Sequence, residues 1–176
     1  MRDSGYDRAE RDWYVEPAWL VDALAEVEPL SGVIWDPACG GGNIPKTLSA
    51  RGLNAYGSDI ADRGYGVKYN DFFEWRGPND CSFVSNPPYG VLQQFIEHAL
   101  KITTGKVCIL ARLAFLEGQA RKPFFQSTPL ARVWVSSRRA SMPPGGTDIK
   151  ASGGTIAYAW FVWVPGHVGP PTLGWL

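Results

Sequence analysis

Metal-binding side chains are scarce in this chain of 176 residues: three cysteines and two histidines. Cys39, Cys81 and Cys108 are odd in number and form no CxxC pair, and only His98 and His167 could assist them. No zinc site is read from that set, and no metal is expected. Buried or loop thiols in a reducing, cytoplasmic compartment are the expectation. Long apolar runs are missing too. The longest, Ile156 to Val164, has the length of a strand, far short of the roughly 20 residues that span a bilayer. No basic stretch followed by an apolar core opens the chain, so neither a secretory signal nor a membrane partner is expected. There is no GxxxxGK[ST] run, which excludes a P-loop.

What is present is a globular composition, 45% hydrophobic and 13% aromatic, unlike that of a disordered chain. The length suits one domain, 1–176, with a sizeable core and a loose polar end over 1–12. Net charge is zero, but residues 1–100 carry 8 Lys/Arg against 15 Asp/Glu, a balance of −7, and residues 101–176 carry 9 against 2, a balance of +7. The basic half is a candidate phosphate-facing surface, unless the fold interleaves the halves.

Periodicity and breakers order the rest. A helix is predicted from Pro17 to Pro29, with Leu20, Ala23, Leu24 and Val27 on its apolar face. Strand Gly32–Trp35, a glycine-rich turn, a helix N-capped by Asn43 and strand Asn54–Ser58 make one βαβ unit. Strand Cys81–Ser85 is followed by a helix over Val91–Ile102 and a strand over Lys106–Ala111. Leu113–Gln126 has weak helical periodicity, Leu130–Ser136 and Thr155–Val164 are strands, and the tail from Pro165 is turn-like. Strands alternating with helices predict a single α/β domain with a mostly parallel sheet and helices on both faces. No helix separates the last two strands, so the final one is expected to run antiparallel.

Ser85-Asn86-Pro87-Pro88-Tyr89 is the stretch that carries chemistry. Asn86 offers a side-chain carbonyl. The Asn86–Pro87 bond offers a backbone carbonyl in restricted geometry, because each proline limits itself and the residue before it. Tyr89 offers a flat face for a ring. Two acceptors aimed at one NH2, beside a stacking platform, suit chemistry on an exocyclic nitrogen. The alternative is a proline-rich turn after a strand.

Asp36-Pro37-Ala38-Cys39-Gly40-Gly41-Gly42-Asn43 could serve a nucleotide, but Pro45 stands where a dinucleotide fingerprint wants glycine or alanine. Asp36 would repel a pyrophosphate and welcome a cationic amino group. Asp59, at the end of the second strand, is placed to hold ribose hydroxyls. Asp71 could accept from an adenine amino group, with Phe72 on the ring.

DPACGGGN resembles the first cofactor motif of adenine-N6 DNA methyltransferases, D-P-x-C-G-x-G, and NPPY resembles the catalytic motif of amino-directed methyltransferases. The resemblance covers residues 13–164 in family order and is greatest to small phage or prophage enzymes. It implies a Rossmann-like class I methyltransferase domain, S-adenosyl-L-methionine as cofactor and transfer to adenine N6 in DNA. Asn86, Pro87, Pro88 and Tyr89 would be catalytic. Tyr14 and Pro17 would pack on the methionine end, with Val15 where Thr is common. Asp36, Ala38, Cys39, Gly40, Gly42, Asn43, Asp59, Ile60, Asp71, Phe72 and Asn86 would hold the cofactor. In the loop Arg138–Gly154, Arg138, Arg139 and Lys150 could meet phosphates and Met142 could line the target pocket. Glutamine-N5 methylation of a protein, amino methylation of RNA, and a non-catalytic binding subunit remain open. The length leaves no separate target-recognition domain, so either a short loop, a protein partner or a second copy supplies specificity, or specificity is low.

Overall fold

A computed structural model describes residues 12–76 and 80–176. Seven strands form one sheet: β1 (Val33–Asp36), β2 (Asn54–Gly57), β3 (Ser82–Ser85), β4 (Val107–Arg112), β5 (Leu130–Val135), β6 (Tyr158–Trp163) and β7 (Thr172–Trp175). Their order is β2-β1-β3-β4-β6-β5-β7. β6 runs antiparallel to both neighbours, and every other pairing is parallel. β3, β4 and β6 are buried almost throughout because helices or loops cover both of their faces. α1 (Ala18–Val27) and α2 (Asn43–Ala50) press Leu20, Leu24, Ile44 and Leu48 onto Ile34, Val84, Leu110 and Trp160. On the opposite face α3 (Leu92–Ile102) and α4 (Lys122–Ser127) set Phe95, Ile96, Ala99 and Phe124 on Phe83, Ile109, Phe161 and Trp163.

After β1 the chain turns outward to β2, then crosses back to β3 on the other side of β1. A crevice therefore opens between the carboxyl ends of β1 and β3, the place where open α/β sheets bind ligands. Strands before residue 86 fill one side of the sheet and strands after residue 106 the other. The strands of the two halves are not interleaved, but α1 of the first half packs onto β4 and β6 of the second.

Four details differ from the sequence reading. The buried stripe of α1 is Leu20, Val21 and Leu24, while Val27 is exposed. Gly42, in the left-handed region at φ +83°, is the N-cap of α2, a conformation that favours glycine. Asn43 is instead the first helical residue, and its Nδ2 donates to the Glu16 carbonyl at 3.0 Å. Residues 113–126 form two 3-10 turns and the short α4, because Gly118 at φ +110° breaks the helical path. The tail is not merely a turn. Thr172–Trp175 pairs in parallel with β5; the strand expected to run antiparallel, Thr155–Val164, does so as β6, but β7 follows it. β7 borrows its order from β5: Leu176 N–H donates to the Val135 carbonyl at 2.8 Å, and the Trp134 ring lies where a Cβ on Gly174 would sit. The loose end expected over 1–12 lies outside the described residues except for Asp12.

Glu28 ties the two halves together. It follows α1, and its side chain is fully buried. It accepts from Arg132 Nε and Nη2, from Trp134 Nε1 at 2.9 Å and from Lys106 Nζ at 3.0 Å. Burial alone would raise its carboxyl, but Arg132, Trp134 and Lys106 together hold it below the ordinary value of 4.5. Its contribution to stability is therefore full above pH 4.5 and is lost as the pH falls below that value. Glu28→Ala should cost about 3 kcal/mol in urea unfolding at pH 7, the low end for a broken buried pair because Arg132 and Lys106 keep some access to water. A loss under about 1 kcal/mol would show that the cluster is dispensable.

Candidate active site

The crevice holds a cavity of about 390 Å³, within the usual range for a small-molecule site. The glycine turn after β1 forms one wall. Asp59 and Ile60 after β2 form another, with Asp71, Phe72 and Phe73 beside them. Asn86 and Pro88 come from the end of β3, and Asp12–Glu16 complete the lining.

Local hydrogen bonds hold these pieces in register. Ser58 N–H donates to the Asp36 carbonyl at 2.9 Å, and Cys39 N–H to the Ser58 carbonyl at 3.0 Å. Gly40 N–H donates to Asp59 Oδ2 at 2.9 Å, and Ala61 N–H to Oδ1 at 2.9 Å. Asp71 Oδ1 accepts from Phe73 N–H at 2.9 Å. Asp59 and Asp71 are thus aimed by backbone amides while still lining the cavity.

Among the expected cofactor residues, Tyr14, Ala38, Cys39, Gly40, Asn43, Asp59, Ile60, Asp71, Phe72 and Asn86 line the cavity. Pro17, Asp36 and Gly42 do not. Pro17 serves as N-cap of α1. A Cβ on Gly42 would meet the Tyr65 ring, so this glycine makes room for a tyrosine. Asp36 lies behind the cavity wall: its Oδ1 accepts from Ser85 Oγ at 2.7 Å and from Ala38 N–H at 3.2 Å. Burial pushes its carboxyl well above the usual range.

Asn86 is the polar centre of the site. Its Nδ2 donates to Glu16 Oε2 at 2.9 Å and to the Tyr14 carbonyl at 3.3 Å. Its Oδ1 is buried and accepts no hydrogen bond among the described residues. A buried acceptor left unpaired costs about 1–3 kcal/mol, so this atom is primed for a donor. Glu16 is buried as well, and burial pushes its carboxyl up to about 7 against the hydrogen bond from Asn86.

Tyr89 lies off the cavity wall. Its ring stacks with Tyr14 at 6.3 Å between centroids and 20° between planes. The Arg112 guanidinium sits 4.9 Å from the ring centre. Its hydroxyl points to Met142 Sδ at 4.0 Å. Met142 is buried beneath the loop. Arg138 lies over Trp19 at 4.6 Å, while Arg139 and Lys150 are exposed. The loop from Arg138 to Gly154 does rise at this edge of the sheet, and the segment 13–15 is stitched to it. Val15 N–H donates to the Pro143 carbonyl and Gly145 N–H to the Trp13 carbonyl, both at 2.9 Å. Trp13 fits between Gly40 and Gly145, where a Cβ on either would collide with the indole, and Arg63 covers its ring at 4.1 Å.

Glu16, Trp13, Arg63 and Arg112 were not among the residues expected from sequence. Glu16 and Trp13 stand inside the Trp13–Pro17 run, but no spacing rule brings residue 16 to residue 86, or residue 13 to residue 145.

No protein-family model and no curated protein sequence matches the chain. Solved structures do resemble it. One is the methyltransferase subunit of a type I restriction-modification system from Streptococcus thermophilus (TM-score 0.60, 14% identity, 92% of this chain and 46% of that one). Another is magnesium protoporphyrin IX methyltransferase from Synechocystis PCC 6803 with bound SAM (TM-score 0.54, 14% identity, 82% of this chain and 77% of that one). A third is TrmN from Thermus thermophilus (TM-score 0.50, 18% identity, 82% of this chain and 47% of that one). The chain spans less than half the length of the first and third. The fold is that of class I methyltransferases.

The site makes a testable demand on stability. Because the folded protein holds the Glu16 proton more tightly than the unfolded chain does, stability falls as pH rises from 4.5 through about 7 and levels off above. A shift of this size is worth about 3 kcal/mol. Glu16→Gln should remove that share of the slope between pH 5 and 8 in denaturant melts, leaving the part that belongs to Asp36. Identical pH dependence in the two chains would contradict the burial of Glu16.

Proposed function

We propose that the chain is an S-adenosylmethionine-dependent methyltransferase acting on an exocyclic amino nitrogen, with adenine N6 in DNA as its acceptor. The observation that carries this reading is Asn86 Oδ1, a buried acceptor without a donor, at the strand end where the cavity opens. The residues present suit the cofactor. Asp12, Glu16, Asp59 and Asp71 give the cavity wall four acidic groups, apt for a cationic ligand with hydroxyl and amino donors. The glycine turn lets backbone approach closely at Gly40, whose φ is +51°. S-adenosylmethionine, when bound there, would supply a sulfonium methyl group.

The chain's own residues would do the rest. Asn86 Oδ1 accepts an N–H of the target amino group and draws its lone pair out of conjugation. As positive charge develops on that nitrogen, the fixed carbonyl stabilises it without having to reorient. Ile60, Phe72 and Phe73 keep water from the cavity. Tyr89, off the cavity wall and braced by Tyr14 and Arg112, would offer its ring to the target base as it approaches Asn86. A base in duplex DNA must leave the stack to reach such a site. Exposed Arg139 and Lys150, in the loop beside the site, would meet phosphates, and a protein partner or second copy would extend target recognition.

The test is methyl transfer from labelled S-adenosylmethionine to unmethylated DNA, with RNA and protein pools in parallel and products assigned by mass spectrometry. N6-methyladenine in DNA is expected, with the rate reduced about a hundredfold or more in Asn86→Ala. Label in RNA, or on glutamine in protein, would replace the acceptor. Absence of transfer to all three pools would defeat the enzymatic reading and favour a binding subunit.

A further inference from the structure

We propose that Glu16 is a positioning residue: its carboxylate decides which end of the Asn86 amide faces the target. The inference rests on the reading of Asn86 as the acceptor of target amino protons. A primary amide has an accepting end and a donating end of nearly equal size, and a half turn about its last bond exchanges them. With the oxygen forward, Asn86 attracts an amino group. With the nitrogen forward, donor meets donor and the target is repelled. Something must hold the oxygen forward.

The surroundings of the other end do so. Two acceptors, Glu16 Oε2 at 2.9 Å and the Tyr14 carbonyl at 3.3 Å, face the same Asn86 atom. An oxygen placed there would confront two oxygens, so only the NH2 group fits. The Tyr14 contact is long, and the bond to a carboxylate is inherently the stronger of the two. Glu16 is itself held. Its backbone carbonyl accepts from Asn43 Nδ2 at 3.0 Å, which ties the segment to the start of α2. The orienting carboxylate is thus braced from the element that follows the glycine turn.

The same geometry makes the lock reversible by a proton. Asp36 from the end of β1, Cys39 from the glycine turn and Tyr89 after β3 all act electrostatically with Glu16. Among the described residues no Lys or Arg forms an ion pair with it. Burial favours the neutral acid, against the hydrogen bond from Asn86, and pushes the Glu16 carboxyl up to about 7. The neutral acid can donate its O–H as well as accept. A turned amide, with Oδ1 toward Glu16, is then tolerated, and the direction of the lock is lost. A bound cation would restore the carboxylate, so the midpoint should lie lower with cofactor bound than in the free protein.

The first experiment does not depend on turnover. The side-chain amide signals of Asn86, identified by their loss in Asn86→Ala, are followed by 15N–1H NMR from pH 5.5 to 8.5 without ligand. They should shift with a single midpoint near 7 in the unmodified chain and stay flat in Glu16→Gln, which is isosteric and whose folding the same spectra verify. The second is methyl transfer to the best acceptor at saturating S-adenosylmethionine. Glu16→Gln should lower kcat about tenfold or more through misorientation of the acceptor, and the acid limb of kcat/KM near pH 7 should vanish. A variant with raised KM for S-adenosylmethionine but unchanged kcat, and Asn86 signals indifferent to Glu16, would overturn the proposal in favour of simple cofactor binding. If no acceptor is methylated at all, the enzymatic reading fails, and the NMR titration still decides whether Glu16 holds Asn86.

Discussion

The hydrogen bond from Ser85 Oγ to Asp36 Oδ1, 2.7 Å long and fully buried, joins the two strand ends from which the site is built. Asp36 opens the glycine turn and Ser85 precedes Asn86. β1 and β3 are neighbours in the sheet, but their described ladder reaches only Trp35 and Phe83. Beyond that point the side-chain bond continues the connection. Asp36 thereby acts on both motifs at once: its carbonyl receives Ser58 N–H from the end of β2, and its carboxyl receives Ala38 N–H within the turn. A carboxyl in this position is costly to bury, and burial drives it toward its neutral form. The cost is tolerable because its described partners are donors that need an acceptor in that place.

Electrostatics near the cavity follow from the same constraint. Asp36 and Glu16 are both pushed toward the protonated state, chiefly by burial, and Glu16 adds to the rise at Asp36. Gly40 and Ala61 amides hold the Asp59 oxygens, and Arg63 stands 3.9 Å away. The site therefore buries carboxyl groups at a cost that a bound cation would relieve. Such a site is expected to gain stability from its ligand beyond what contact area supplies.

Much of this was legible in the sequence because it is local. The strand–turn–helix around Gly40, the acid at Asp59 and the strand ending in Asn86 follow from glycine, proline and apolar spacing within short windows. The parallel sheet with helices on both faces follows from alternation of elements. What escaped depends on pairs far apart. Glu16 meets Asn86 across 70 residues, and Trp13 occupies space vacated by Gly145. Asp36 was legible as a site acid, but its place behind the wall was not, because Ser85 lies 49 residues away. β7 escaped for a different reason. Thr172-Leu173-Gly174-Trp175 is short and exposed, with little strand propensity of its own, and exists as a strand because β5 presents a free edge.

Where the two charge halves meet was left open by the sequence. The order β2-β1-β3-β4-β6-β5-β7 puts the strands of the two halves on opposite sides of the sheet, while α1 of the acidic half packs onto β4 and β6 and Glu28 binds Lys106 and Arg132 of the basic half. The cavity's acidic groups come from the first half. The loop that carries Arg138, Arg139 and Lys150 comes from the second and reaches the cavity edge through its bridge to Tyr14. On the proposed reading this separation has a physical use. A cationic cofactor and a polyanionic acceptor attract opposite fields, and a site that joins them gains when each field is confined to its own side. The seam between them runs beside β3, whose last residue delivers Asn86.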